Sequence, residues 1–345
     1  RDRSVSRGLG DVYKRQTSTS VTEKYQDKRN DIINVKDKVI EFETGNVLIG
    51  SVSRLYMSNK CLLIADHKSV DKQIHIFNKN DFSYLTSIGN FGEGPEEITV
   101  MGCLAIDEAH HQLYVSDHAK QKIFSYDMDS VMVDSLYKPQ VKTAMNETLF
   151  PSEYQYINDT LSIAVLIKPT STSTFNQFLG RWNMNTGEMI PMKYTHPDIQ
   201  KKRITFAASE KAGIYVECYT RHDLMTICSL DGELLYNIYG PDWDGGNGNK
   251  LQSFGTVMIG NDKIFVSYCG EDYARDSFPT KILVFDLEGN YLKTLETGYK
   301  ISDCCYDSFN NRIILSLNDV VQFAYLDIDG IISVSYTHLT LPTIR

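Results

Sequence analysis

A chain of 345 residues with 42% apolar and 23% charged residues and a formal net charge of -9 has an ordinary globular composition, with enough apolar residues for one large core or two small ones. The acidic excess excludes a nucleic-acid groove, which needs clustered Lys and Arg to displace counterions from phosphates. No run approaches the roughly 18 apolar residues of a membrane-spanning helix.

Taken in order, the chain starts and ends on foreign-looking sequence. RDRSVSRGLGDVYKRQ (residues 1–16) and VSYTHLTLPTIR (334–345) resemble translated sequencing-adapter tails, and both are set aside as non-native. The native start, with any signal peptide or lipid-attachment cysteine, is then expected to be missing. Residues 17–31 are expected to be a leader or linker, and residues 32–333 a single domain. Near its start lies KVIEFE, Lys38 to Glu43, a short strand with no obvious neighbour.

The stretch from Leu62 to Asp129 holds two copies of one unit. LLIADH (Leu62 to His67) leads into QIHIFNKN (Gln73 to Asn80), and LYVSDH (Leu113 to His118) leads into KIFSYDMD (Lys122 to Asp129). Each is a strand, a turn opened by Asp-His, and a returning strand. Between them Gly89, Gly92 and Gly94 with Pro95 break the strand pattern and pass the chain from one unit to the next. A strand ending in an aromatic or apolar residue before a short polar turn recurs at Phe77, Tyr126, Trp182, Cys228, Phe285 and Leu326. The interval averages about 50 residues, within the period of propeller blades.

Each unit reads as four short strands. The fifth shows them as GTVMIG, KIFVSYC, KILVFDL and YLKTLET, and helical periodicity is hard to find anywhere. One four-stranded sheet buries too little by itself, so the units must stack around an axis. The expected fold is all-β: a six-bladed β-propeller with four-stranded antiparallel blades. The sixth unit loses its pattern at Ile331 to Ser333, so Lys38–Glu43 is expected to supply its outer strand and close the ring. The seven cysteines, including the neighbours Cys304 and Cys305, are scattered with no C-x-x-C and read as small buried hydrophobes.

The run IGNFGEGPEE followed by LYVSDHAKQKIFSYDMD is similar to NHL and TolB-like six-bladed propellers. The similarity includes in particular an uncharacterised group of bacterial envelope proteins carrying a G-x-G-P-G-E joint after the first blade. Here Glu96 stands where that joint has its second glycine, which weakens a reading of the loop as a tight ligand cradle. Many members look like lipoproteins, so the resemblance implies a place in the bacterial cell envelope, in the periplasm or on the outer membrane. It implies no reaction.

In an antiparallel meander the loops fall into two sets on opposite openings. The set holding the second-to-third and blade-to-blade loops is the longer one, and a rigid scaffold that varies such loops binds there. The candidate ligand-binding residues on that face are Asp66, His67, Glu93, Glu96, Asp117, His118, His196, His222, Trp243, Glu271, Tyr273 and Arg275. Tyr194, Tyr219, Tyr239, Tyr268 and Tyr299 are expected to join Tyr273 on the rim, and a rim of tyrosines and acids favours a neutral or cationic partner. The Asp-His pairs, repeated 51 residues apart, offer oxygen and nitrogen ligands for a metal. Against this, Asp in such repeats commonly bonds backbone amides in its own turn, leaving the His to face solvent.

Asp242, Asp244 and Asn247 in DWDGGNGN are oxygen ligands in search of calcium, but the loop fails the EF-hand spacing. GEGPEE lacks the Lys-Ser or Lys-Thr of a phosphate loop, and no Gly-x-Ser-x-Gly or His-Glu-x-x-His is present. The expected function is therefore non-catalytic recognition of an extended glycan or peptide, by a monomer without cofactor or nucleic-acid partner. One alternative is a metal-dependent NHL-type lyase or gluconolactonase-type hydrolase using the Asp-His pairs on the same face; the candidate zinc or calcium ligands are His67, His118, Asp242 and Asp244. Another is a structural component of an envelope complex.

Overall fold

The computed structural model describes residues 22–332 apart from 135 and 249, so the expected non-native tails lie outside the described residues. Six antiparallel meanders follow one another along the chain. Blade 1 is Ser53–Met57, Cys61–Asp66, Lys72–Asn78 and Tyr84–Asn90. Blade 2 is Met101–Asp107, Gln112–Asp117, Lys122–Asp127 and Gln140–Ala144. Blade 3 is Phe150–Asn158, Leu161–Pro169, Phe175–Trp182 and Met189–Pro191. Blade 4 is Ile204–Ser209, Ile214–Tyr219, Leu224–Ser229 and Leu234–Tyr239. Blade 5 is Leu251–Ile259, Lys263–Asp272, Lys281–Asp286 and Tyr291–Glu296. Blade 6 is Ile301–Asp307, Arg312–Leu317 and Phe323–Asp327, completed by Val39–Glu41.

The second strand of each blade is packed on both faces, which is why its sequence runs apolar instead of alternating. Leu62, Leu63, Ile64 and Ala65 are all fully buried. Six apolar clusters form the core, one at each blade-to-blade interface. The last of them joins blade 6 to blade 1, through Cys305, Ile314 and Phe323 against Leu55, Leu62 and Phe77. This is the architecture of a six-bladed β-propeller. All seven cysteines are free and buried, and burial pushes the Cys103 thiol up to about 12.

The closing strand sits where the sequence places it. Val39, Ile40 and Glu41 pair antiparallel with Leu326, Tyr325 and Ala324. Phe42 then stacks on Phe82 of blade 1, 3.9 Å between ring centres, and lies 5.9 Å from Phe323.

The segment before it does more than lead in. Glu23–Tyr25 runs parallel to the outer strand of blade 4, and Ile32–Asn34 runs parallel to the outer strand of blade 5. Between them Arg29 turns inward to Asp223, with Nη1 to Oδ1 at 2.8 Å. The chain therefore passes along blades 4 and 5 before closing blade 6.

One element departs from the expected pattern of short hairpins. Asp127-Met128-Asp129, read as a turn, opens a helix, Met128–Val133. Asp127 caps it by accepting from Ser130 N at 2.7 Å, which meets one of the orphan amides of the first turn.

Candidate functional site

Each inner strand runs from the loop-rich opening to the hairpin opening, and its free edge faces the axis. Unpaired backbone groups there need partners, and side chains from neighbouring blades supply them. Gln155 bridges Ala208, donating to its carbonyl and accepting from its amide, both at 2.8 Å. Thr205 donates to Gly255 O at 2.6 Å. Asp303 accepts from Thr256 Oγ1 at 2.7 Å and from Leu55 N at 2.8 Å, tying blades 5, 6 and 1 together. Burial pushes its carboxyl upward.

Arg54 reaches Glu153 of blade 3 at 2.9 Å. An axial cavity of about 450 Å³ is lined from all six inner strands, reaching Met57, Glu108, Ile259 and Tyr306 at their hairpin ends.

The candidate residues fall into two groups. On blades 1 and 2 the aspartates are structural. Asp66 accepts from Gly50 N at 2.8 Å and Lys68 N at 2.9 Å. Asp117 accepts from Thr99 N at 2.8 Å and from Ala119 N at 3.0 Å. Their histidines do not face solvent as the structural reading expects. Both rings are half-buried, with each Nε2 enclosed and unpartnered. His118 packs over Gly102, where an added Cβ meets Nε2 at 2.4 Å.

In the glycine-rich joint, Glu93 is exposed and Glu96 pairs with Lys138 at 2.8 Å. Glu97 is the acid that folds the joint, accepting from Gly94 N at 2.8 Å. Lys120 donates to the carbonyls of Gly94 and Glu97 at 2.5 Å each. The joint satisfies itself, as a turn does.

On blades 4 and 5 the candidates converge. His196 bonds the Tyr239 hydroxyl at 2.9 Å, and its ring lies 5.7 Å from that of Trp243. Trp243 in turn lies 6.0 Å from His222. Arg221, next in the chain, stacks its guanidinium 3.2 Å over the exposed ring of Tyr273. Glu271 and Arg275 pair at 3.0 Å at the edge of this wall.

Behind it lies a groove of about 730 Å³, with Pro197–Arg203 on one side and Gly245–Gly248 on the other. Its charged lining is Lys201, Arg203 and Arg221 against Asp198, so this part of the rim is basic where acids were expected. The tyrosine rim is corrected too. Tyr219, Tyr239 and Tyr268 are buried in the blade interfaces, and only Tyr273 of the six stands exposed.

Asp242 and Asp244 are both occupied, the first by a neighbouring strand and the second within its own loop. Asp242 Oδ2 accepts from Tyr268 at 3.3 Å, and Asp244 Oδ2 accepts from Gly248 N at 2.7 Å. Among the described residues, one trio of acid and imidazole groups lies within 4.8 Å, Asp107, His110 and Asp159, and it includes none of the expected metal ligands. It belongs to the hairpin opening, and Asp107 Oδ2 already bonds His110 Nδ1 at 2.8 Å.

Sequence reasoning missed Arg54, Glu153, Lys201, Arg203 and Arg221. The basic run Lys201-Lys202-Arg203 in an acidic chain was the available signal for the groove.

Burial holds His67, His75, His118, His196 and His222 below their ordinary value of 6.5. The unfolded chain takes up protons near that value which the native rings refuse. Their contribution to stability is therefore full above 6.5 and lost as pH falls through the lower native values. Asp223 and Asp303, pushed up from 3.8, act in the opposite sense, favouring the fold most below 3.8. Because the buried acids are common to both proteins, the wild type is expected to lose more urea stability between about pH 7.5 and about pH 5 than His118→Gln/His222→Gln does. Parallel pH profiles of the two proteins refute this.

Comparison with known proteins agrees with the architecture. Residues 14–176 match the family DUF5128, described as a 6-bladed beta-propeller. No curated protein matches the chain. Among solved structures, the chain is similar to a protein from Bacteroides fragilis described as a candidate exported protein. The identity is 13% and the TM-score 0.56, over 86% of this chain and 88% of that one. It is also similar to a DUF4221 family member from Bacteroides vulgatus, at 11% identity and TM-score 0.56 over 87% of this chain and 98% of that one. A third is the β-propeller domain of Cps50 from Myceliophteria thermophila, at 10% identity and TM-score 0.52 over 83% and 98%. At these identities the likeness is one of fold.

Proposed function

We propose that this propeller is a non-catalytic binding module of the bacterial cell envelope, taking an extended ligand at the loop-rich opening over blades 4 and 5. The observation that carries the reading is the convergence of His196, His222, Trp243 and Tyr273, from four separate loops, into one wall beside an open groove. A rigid ring with an adaptable rim suits recognition. His196 bonds the Tyr239 hydroxyl and Arg221 sits over Tyr273, and among the described residues the wall holds no nucleophile poised against a base, so binding is favoured over catalysis. The envelope location draws on the resemblance of the first two blades to envelope propellers, and on the description of the Bacteroides fragilis neighbour as a candidate exported protein.

The test is an array of bacterial surface glycans and peptides probed with purified protein. Tyr273→Ala is expected to weaken capture of whichever ligand binds by about tenfold, the loss of one aromatic contact. Trp243→Ala, which also loosens its packing on His196, is expected to lose more. Undiminished capture by both variants refutes the site.

A further inference from the structure

The chain is acidic overall at -9, yet three of the four charged residues lining the blade 4 groove are basic. Neighbouring Lys202 shows what a structural cation looks like here. It is buried, and both oxygens of Glu217 lie within 3.0 Å of its Nζ. Among the described residues no ion pair engages Lys201, Arg203 or Arg221.

The two arginines are nonetheless held in place. The Arg221 guanidinium carbon sits 3.2 Å over the Tyr273 ring centre, and Arg203 packs 5.0 Å from the Phe175 ring centre while donating to Lys202 O at 2.9 Å. Stacking fixes a guanidinium and leaves its in-plane donors available, the arrangement that recognises a planar or tetrahedral oxyanion.

The second observation is at the floor. His222 is 7% exposed, and its Nδ1 is enclosed without a hydrogen-bond partner. The nearest acid, Asp244 Oδ1, is 3.9 Å away, beyond bonding distance. Gly248 covers this ring so closely that an added Cβ meets Cε1 at 1.8 Å.

We propose that this groove binds the anionic group of an acidic glycan, a uronate carboxylate or a sulfate ester, through Arg221, Arg203 and Lys201, with the enclosed His222 ring beneath them as its reporter. The assignment rests on the rim reading above and names its ligand class. A glycan is favoured over an acidic peptide because Pro197 is the one apolar side chain in the lining. Asp198, Gln200 and Asn247 instead offer hydroxyl partners. Peptide recognition relies on apolar anchor pockets, which this groove lacks.

The test uses the full chain with four probes: potassium sulfate against chloride at equal ionic strength, an oligogalacturonate, the matching neutral oligogalactoside, and poly-glutamate. Tryptophan fluorescence reads occupancy, since Trp243 lies against His222, and the His222 imidazole resonance reads the floor directly. The oligogalacturonate and sulfate are expected to perturb both signals. Arg203→Gln and Arg221→Gln are each expected to weaken the oligogalacturonate about tenfold. Arg181→Gln, whose guanidinium pairs with Asp231 outside the groove and the aromatic wall, is expected to bind as wild type.

Equal binding of the neutral oligomer, unchanged affinity in both groove variants with native thermal unfolding, or no response to any acidic probe overturns the anion site. Preference for poly-glutamate overturns the glycan assignment. If the charge variants bind normally while Tyr273→Ala does not, the rim reading survives and this inference alone fails.

Discussion

Arg29→Ala is expected to cost about 3–5 kcal/mol of folding stability, the loss typical of stripping one partner from a buried ion pair. Asp223 has no exposed side-chain surface, and Arg29 has 8%. The guanidinium lies within 5.8 Å of the ring centres of Phe254, Tyr268 and Phe285, so no water replaces it easily. Asp223 Oδ2 takes weak bonds from Asp242 N at 3.2 Å and the Tyr268 hydroxyl at 3.5 Å, and these are too few to hold a buried carboxylate alone. Without Arg29 the acid must take a proton, so Arg29→Ala is expected to be less damaging at low pH. Asp223→Ala is expected to be similarly costly, because it leaves the cation unpaired. The double variant Arg29→Met/Asp223→Leu is expected to recover much of the loss, since matched apolar replacements remove both desolvation penalties. Urea unfolding of the wild type and the three variants measures these differences, and single variants with native midpoints sink the claim. Asp223 adjoins His222 and accepts from the Asp242 amide beside Trp243, so the same pair also steadies the rim of the proposed site.

The parts of the fold that local chemistry dictates were legible, and those that distant partners dictate were not. Strand alternation and Asx turns repeated at the blade period announced six sheets. A sixth sheet short of one strand, with an orphan strand near the start, announced the closure. The parallel additions Glu23–Tyr25 and Ile32–Asn34 are three residues each and have no turn to mark their register. Nothing near Arg29 says that its carboxylate lies far along the chain at Asp223. For the same reason Asp66 and Asp117 could be weighed correctly as turn formers, while the burial of His67 and His118 could not, because the residues covering them come from other strands. Tyr219, Tyr239 and Tyr268 misled the rim reading because the end of a strand was taken for surface. In a propeller, neighbouring blades cover even the strand ends.

Val39→Asp/Phe42→Asp is expected to open the ring, at a cost of about 2–4 kcal/mol from the lost burial of two half-buried apolar side chains. Val39 packs against the cluster between blades 5 and 6, while Phe42 packs against the one between blades 6 and 1. The closing strand thus adds three backbone partners to Phe323–Asp327 and also bridges two interfaces. Detaching it leaves Ala324, Tyr325 and Leu326 on a bare sheet edge, which invites pairing with other chains. Blade 6 would then meet blade 1 without Phe42, whose ring lies flat on Phe82. The variant is expected to unfold at lower urea, less cooperatively, and to form larger species on size-exclusion chromatography. Ile40→Asp is the control, because Ile40 is 45% exposed and should tolerate the charge while keeping the strand in place. If the double variant unfolds like wild type, the ring is held shut by blade contacts alone and the N-terminal strand is ornament.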